Sequence, residues 1–138
     1  MKRAKFAIDT KVPVVQTRSE IEQILQRFGA TSFAFAMQEK GATVMFECQG
    51  RRIRFDLPLS KDATDAEIAR DHGEKWGALF LSIKAKLVSV DTEIETFEEG
   101  FLAHVVLADG STVGQMTRPA IEQQYKTGKF IPLLEAPK

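Results

Sequence analysis

Residues 50–59 read GRRIRFDLPL, and the alternation inside this stretch decides the fold. Ile53, Phe55 and Leu57 alternate with Arg52, Arg54 and Asp56, the period of two that a half-buried strand shows. Working backwards, TVMFEC alternates Val44, Phe46 and Cys48 with Thr43, Met45 and Glu47, and TSFAFAMQ alternates Phe33, Phe35 and Met37 with small residues. A turn centred on Gln49 and Gly50 sets Glu47 opposite Arg52, Phe46 opposite Ile53 and Val44 opposite Phe55. Apolar then meets apolar, and charge meets charge. Gly41 is placed to supply the turn between the first two strands. The expectation is a three-stranded antiparallel meander over about 31–38, 42–48 and 51–58, with one oily face and one wet face.

Helical periodicity surrounds this meander. Upstream, Ile21, Ile24, Leu25 and Phe28 share one face, Ser19 and Glu22 have capping-box spacing, and Gly29 follows, which predicts a helix over 20–28. A strand is expected before it, around Lys11 to Val15. Downstream, Thr64 and Glu67 form a second capping box, and Ile68, Trp76, Phe80, Ile83, Leu87 and Val90 keep helical spacing over 65–90. Such a helix is about 39 Å long, with Gly73 as a point where it could kink. Its first half is acidic (Asp65, Glu67, Asp71, Glu74) and its second half is apolar, as a central core helix requires. Two further boxes, Thr96 with Glu99 and Thr112 with Gln115, predict helices over 97–107 and 113–127, the second bent or divided at Pro119. The competing reading of VVLADGSTV is a hairpin about Asp109 and Gly110. The tail FIPLLEAPK reads as extended, with Phe130, Ile131, Leu133 and Leu134 laid on the body. The fold class is therefore α+β: one domain over 1–138, with helices on one face of the sheet, a basic N-terminal arm and an extended C-terminal tail.

Composition agrees with a single globular domain: 138 residues, 43% apolar and 28% charged. No secretory signal or membrane span is legible, which points to the cytoplasm. Cys48 is the single cysteine and lies on the inner side of its strand, so it reads as a small buried hydrophobe. With only His72 and His104 as imidazoles, no metal set, cofactor motif or catalytic constellation is signalled. Net charge is zero, but residues 1–60 carry ten Lys/Arg against six Asp/Glu, and residues 61–138 carry nine against thirteen. Two differently charged sides are expected.

GRRIRFDLPL, SIKAKLVSV and TFEEGFLAHVVLADGSTVG together resemble small proteins of no known activity encoded by tailed bacteriophages and prophages, over most of the chain. The resemblance implies a phage or prophage origin, hence the cytoplasm of a host cell, and carries over no catalytic residue. The order helix, three strands, helix is also that of the double-stranded RNA-binding domain. That family needs a lysine-rich start to its second helix, whereas DATDAE stands here, so its mode of binding is excluded.

Two functions from different classes follow. In the first, the chain binds nucleic acid without reading sequence, through Arg51, Arg52 and Arg54 with Lys2, Arg3 and Lys5 of the arm. The plainer reading of those arginines is a solvated strand face with one Glu47–Arg52 pair. In the second, the chain is a protein-binding module, an inhibitor or adaptor of a host or phage factor. It would use the acidic helical half (Glu93, Glu95, Glu98) or the flank of Lys84, which shares a stripe with Gly77, Leu81 and Val88. The plainer readings are helix-capping carboxylates and a snorkelling lysine.

Overall fold

A computed structural model describes residues 14–38, 41–59 and 64–133. Its element order is α1 (Val14–Phe28), β1 (Thr31–Gln38), β2 (Gly41–Cys48), β3 (Arg51–Pro58), α2 (Asp65–Asp91), α3 (Phe97–Gly100), a 3-10 turn (Leu102–His104) and α4 (Val113–Thr127). The three strands form one antiparallel sheet in the order β1-β2-β3. The fold is α+β.

The register is the one that charge and apolar matching demand. Glu47 faces Arg52, Phe46 faces Ile53 and Val44 faces Phe55. Gln49 (φ 51°) and Gly50 (φ 75°) are both left-handed, as a two-residue turn matching strand twist requires. At the other hairpin Gly41 is needed for close approach, since a Cβ there would strike the Leu57 carbonyl. β1 pairs with β2 through a register slip between Thr31 and Ala34, where Ser32 takes φ 57°.

Val44, Phe46, Ile53 and Phe55 bury their side chains against Ile21 and Leu25 of α1 and Trp76, Leu79 and Ile83 of α2. Phe101 closes the core: its ring meets Phe46 and Phe55 edge-on at 6.0 and 6.3 Å and stacks on Phe97 at 4.8 Å. Each such aromatic pair adds roughly 0.5–1.5 kcal/mol beyond the area it buries. α2 runs unbroken through Gly73, started by the Thr64–Glu67 capping box. No helix among the described residues is long and apolar enough to cross a membrane.

Several boundaries differ from the expectation. Val14 and Val15 are helical, not extended, and the Ser19–Glu22 spacing starts nothing; Ser19 Oγ only accepts from Gln23 Nε2. The reason is burial, because Thr17, Ile21 and Leu25 form one buried stripe with half-buried Val14 and carry the helix past the cap signal. Lys11 to Pro13 lie outside the described residues. The helix expected over 97–107 is a single turn. Its capping box is made in full, yet Val105 and Val106 are extended, with the Val106 N–H donating to the Arg52 carbonyl at 2.8 Å. Val106 also bridges to Thr112, and Leu107 N–H donates to the Ser111 carbonyl at 2.7 Å, so a small hairpin about Asp109 and Gly110 stands there. An open edge of β3 outcompetes helix propensity for these β-branched residues. α4 contains Pro119 without interruption; of the tail, Phe130 is 83% exposed, whereas Ile131 is half-buried and its carbonyl accepts from Gln124 Nε2 of α4. Leu134 lies outside the described residues.

α2 ends in paired bonds from Glu93 N–H to Val90 O and from Ile94 N–H to Ser89 O, with Glu93 at φ 64°. A side chain in that left-handed position is strained, and glycine relieves it. Glu93→Gly is expected to raise stability by about 1 kcal/mol in a denaturant melt, with no change in the slope of the transition.

Candidate interaction surfaces

The three arginines of β3 belong to one short segment but meet three different environments. Arg51 is at the hairpin turn, where its Nε and Nη2 contact Glu98 Oε2 at 3.0 and 2.9 Å. Arg52 lies 3.9 Å from Glu47, the cross-strand pair expected from the register. Arg54 is not in open water, although its side chain leaves the outer face of the sheet. It is only 19% exposed, because the 107–115 segment folds over it. Its Nη1 donates to the Gly110 carbonyl at 2.6 Å, Nη2 to Gln115 Oε1 at 2.9 Å, and Nε to Asp56 Oδ2 at 3.3 Å. The planar fork thus ties β3 to the small hairpin and to the first turn of α4, whose capping residue Gln115 also accepts from Thr112 N–H. Lys2, Arg3 and Lys5 lie outside the described residues.

The acidic half is divided in the same way. Glu98 is the partner of Arg51, so one expected anionic contact neutralises one expected cationic contact. Glu99 closes the cap of α3, and hydrogen bonds from the Thr96 backbone and hydroxyl hold its carboxyl below the usual range. Glu93 forms the turn after α2, and Glu95 is half-buried. Asp56 accepts from Thr43 Oγ1 at 3.1 Å as well as from Arg54, so the buried Thr43 hydroxyl on the outer face has a partner. One ion pair, Arg51 with Glu98, thus joins the two charged patches that the sequence presents, while Asp56 meets Arg54 within the basic segment itself.

Lys84 has a different setting. It stands on the rim of a groove of about 480 Å³ between α1 and α2, whose floor is Ile24, Phe28, Leu87 and Val88 and whose rim is Arg27, Lys84 and Asp91. Val88 is 55% exposed and Leu81 on the same stripe 40%. Among the described residues neither Arg27 nor Lys84 makes an ion pair. Arg27 carries no signal of its own in the sequence, because only the packing of α1 on α2 brings it beside Lys84. Lys86, two residues on, is not a solvent residue: its Nζ donates to the Gly100 carbonyl at 3.1 Å and lies 5.8 Å from the Phe101 ring.

His104 stacks on Phe55 with centroids 4.0 Å apart, and burial together with the nearby Lys86 ammonium depresses its pKa. Burial raises the pKa of the Cys48 thiol, which keeps it protonated and unreactive. Among the described residues no group of three or more His, Cys, Asp or Glu could hold a metal ion. Comparison with known proteins finds no matching family model, curated protein or solved structure.

Arg54→Lys, which keeps the charge and loses the fork, is expected to cost about 1–3 kcal/mol, while Arg52→Lys stays within about 0.5 kcal/mol; chemical denaturation of the two variants separates them. The depressed His104 pKa means that the unfolded chain binds the proton more readily. That residue's contribution is therefore complete above about pH 6.5 and is lost as pH falls below it. Stability measured from about pH 7 down to 5 should fall less steeply in His104→Phe than in the parent.

Proposed function

We propose that this chain is a protein-binding module whose groove between α1 and α2 receives an amphipathic helix carrying at least one acidic residue on its flank. The observation that carries this reading is the groove itself: a partly exposed apolar floor, Val88 most of all, beneath two cations that have no ion-pair partner among the described residues. Helix-in-groove recognition uses such a floor for affinity, at about 1.5–3 kcal/mol per fully buried aliphatic side chain, and rim charges for orientation. The arginines of β3 offer less to a phosphate backbone. A ligand there must compete with Glu98 for Arg51 and with Gly110, Gln115 and Asp56 for Arg54. Breaking the Arg54 contacts would also release the start of α4. Of the functions that the sequence allows, the protein-binding one draws on groups that the fold leaves available.

The probe is a synthetic amphipathic peptide of about four helical turns, with leucines at i, i+4 and i+7 and glutamates beside them. Expected is saturable binding that Lys84→Glu and Val88→Arg each weaken by at least about tenfold, and that Arg52→Ala leaves unchanged. Binding indifferent to both groove variants overturns the reading. So does retention of DNA at low salt with a log–log salt slope near about −3, which would return the function to the arginine face.

A further inference from the structure

We infer that the helix received by the α1/α2 groove is α4 of a second copy of this chain, so that the protein assembles with itself. The inference rests on the groove reading above and names its partner.

α4 is anomalous in its own chain. None of its fifteen residues is buried, although Met116 and Ile121 are hydrophobic, and Tyr125 is 87% exposed. An isolated helix of this length is marginal in water, and most helical stability in proteins comes from packing an apolar face. Here the helix is held chiefly at its ends. Thr112 and Arg54 secure the first turn through Gln115, and Gln124 Nε2 donates to the Ile131 carbonyl at 2.6 Å near the last. Ile121 and Tyr125 are one turn apart and form an outward ridge with no partner in the described chain.

The groove and this ridge are chemically matched. The rim has Arg27 and Lys84, neither with an ion-pair partner among the described residues, and Asp91 two turns beyond Lys84 along α2. Beside the ridge of α4 stand Arg118, Glu122 and Lys126, each one turn from the next, and among the described residues Glu122 is paired only with its exposed i+4 neighbour Lys126 at 3.2 Å. Seating Ile121 and Tyr125 on Leu87 and Val88 sets Glu122 toward Lys84 and Arg27, and one of its two flanking cations, Arg118 or Lys126 according to the direction of the helix, toward Asp91. Zero net charge removes long-range repulsion between copies. The contact joins two different surfaces, so it propagates into a ring or a chain unless two copies exchange helices reciprocally. A single helix in an open groove falls at the small end of interface sizes, which places the association in the micromolar range.

Sedimentation analysis of the full chain from about 1 to 200 µM tests this. Expected is a mass that rises with concentration, and a loss of assembly by about tenfold or more in affinity for either Lys84→Glu or Glu122→Lys alone. Mixed one to one, the two single variants should assemble better than either does by itself, because the carboxylate that K84E places on the groove of one copy then meets the ammonium that E122K places on α4 of the other. A chain carrying both changes should likewise recover. A chain that stays monomeric throughout, or one whose assembly ignores both charge reversals, overturns the inference. If the monomeric chain still binds the acidic peptide through Lys84 and Val88, the groove reading survives and only the identity of its partner is lost.

Discussion

The constraint on which this structure depends is the two-residue period of the β2–β3 hairpin, locked by the left-handed pair Gln49 and Gly50. With that turn in place, Val44, Phe46, Ile53 and Phe55 point to one side, and Thr43, Glu47, Arg52 and Arg54 to the other. A slip of one residue would bury guanidinium groups in the aromatic cluster around Phe101 and expose the apolar set. Taking a single unpaired charge out of water costs several kcal/mol, against a net stability of about 5–15 kcal/mol for a domain. A slipped register cannot compete at that cost. The two helices that cover the inner face, α1 and α2, then have a fixed surface to pack on, and Phe97 and Phe101 fill its open end.

The arginines on the outer side illustrate how little residue type and strand phase decide about function. Arg52 and Arg54 are two residues apart on the same face, yet one remains at the surface beside Glu47 and the other is roofed by the 107–115 segment. A strand edge explains the difference. β3 has a free edge on the side away from β2, Val105 and Val106 take its hydrogen bonds, and the hairpin that follows must pass over Arg54. Once covered, a guanidinium needs hydrogen-bond acceptors, and Gly110 and Gln115 provide them. One of the arginines that the sequence offers as a ligand contact is a structural clamp.

Charge is consumed within the fold to an extent that composition hides. Glu98 with Arg51, Asp56 with Arg54, and the capping carboxylates Glu67 and Glu99 all have internal roles. Exposed pairs of this kind add little stability, at about 0–1 kcal/mol each, but they lower the field that the surface presents to a distant partner. The cations that keep their reach are those without such neighbours, and among the described residues Arg27 and Lys84 meet that condition beside partly exposed apolar surface.

The meander, its register, the inward face of Cys48, the long helix begun at Thr64 and the caps at Thr96 and Thr112 were all legible in the sequence. Each is written in local spacing: period two, period 3.6, or a box of four residues. The early start of α1 was not, because burial of Thr17 beside Ile21 overrides the signal at Ser19. The hairpin about Asp109 and Gly110 was legible as the alternative to a helix, but the choice between them was not, since only a neighbouring strand edge makes extended backbone at Val105 and Val106 better than helix. Of the candidate surfaces, the sequence supplied Lys84 and the arginines but not their fates, and it held no hint of Arg27. Alternation determines which way a side chain leaves its strand, a property of two or three neighbouring residues. What it then meets, whether water, a carboxylate or a carbonyl 56 residues away, is decided only when distant segments pack.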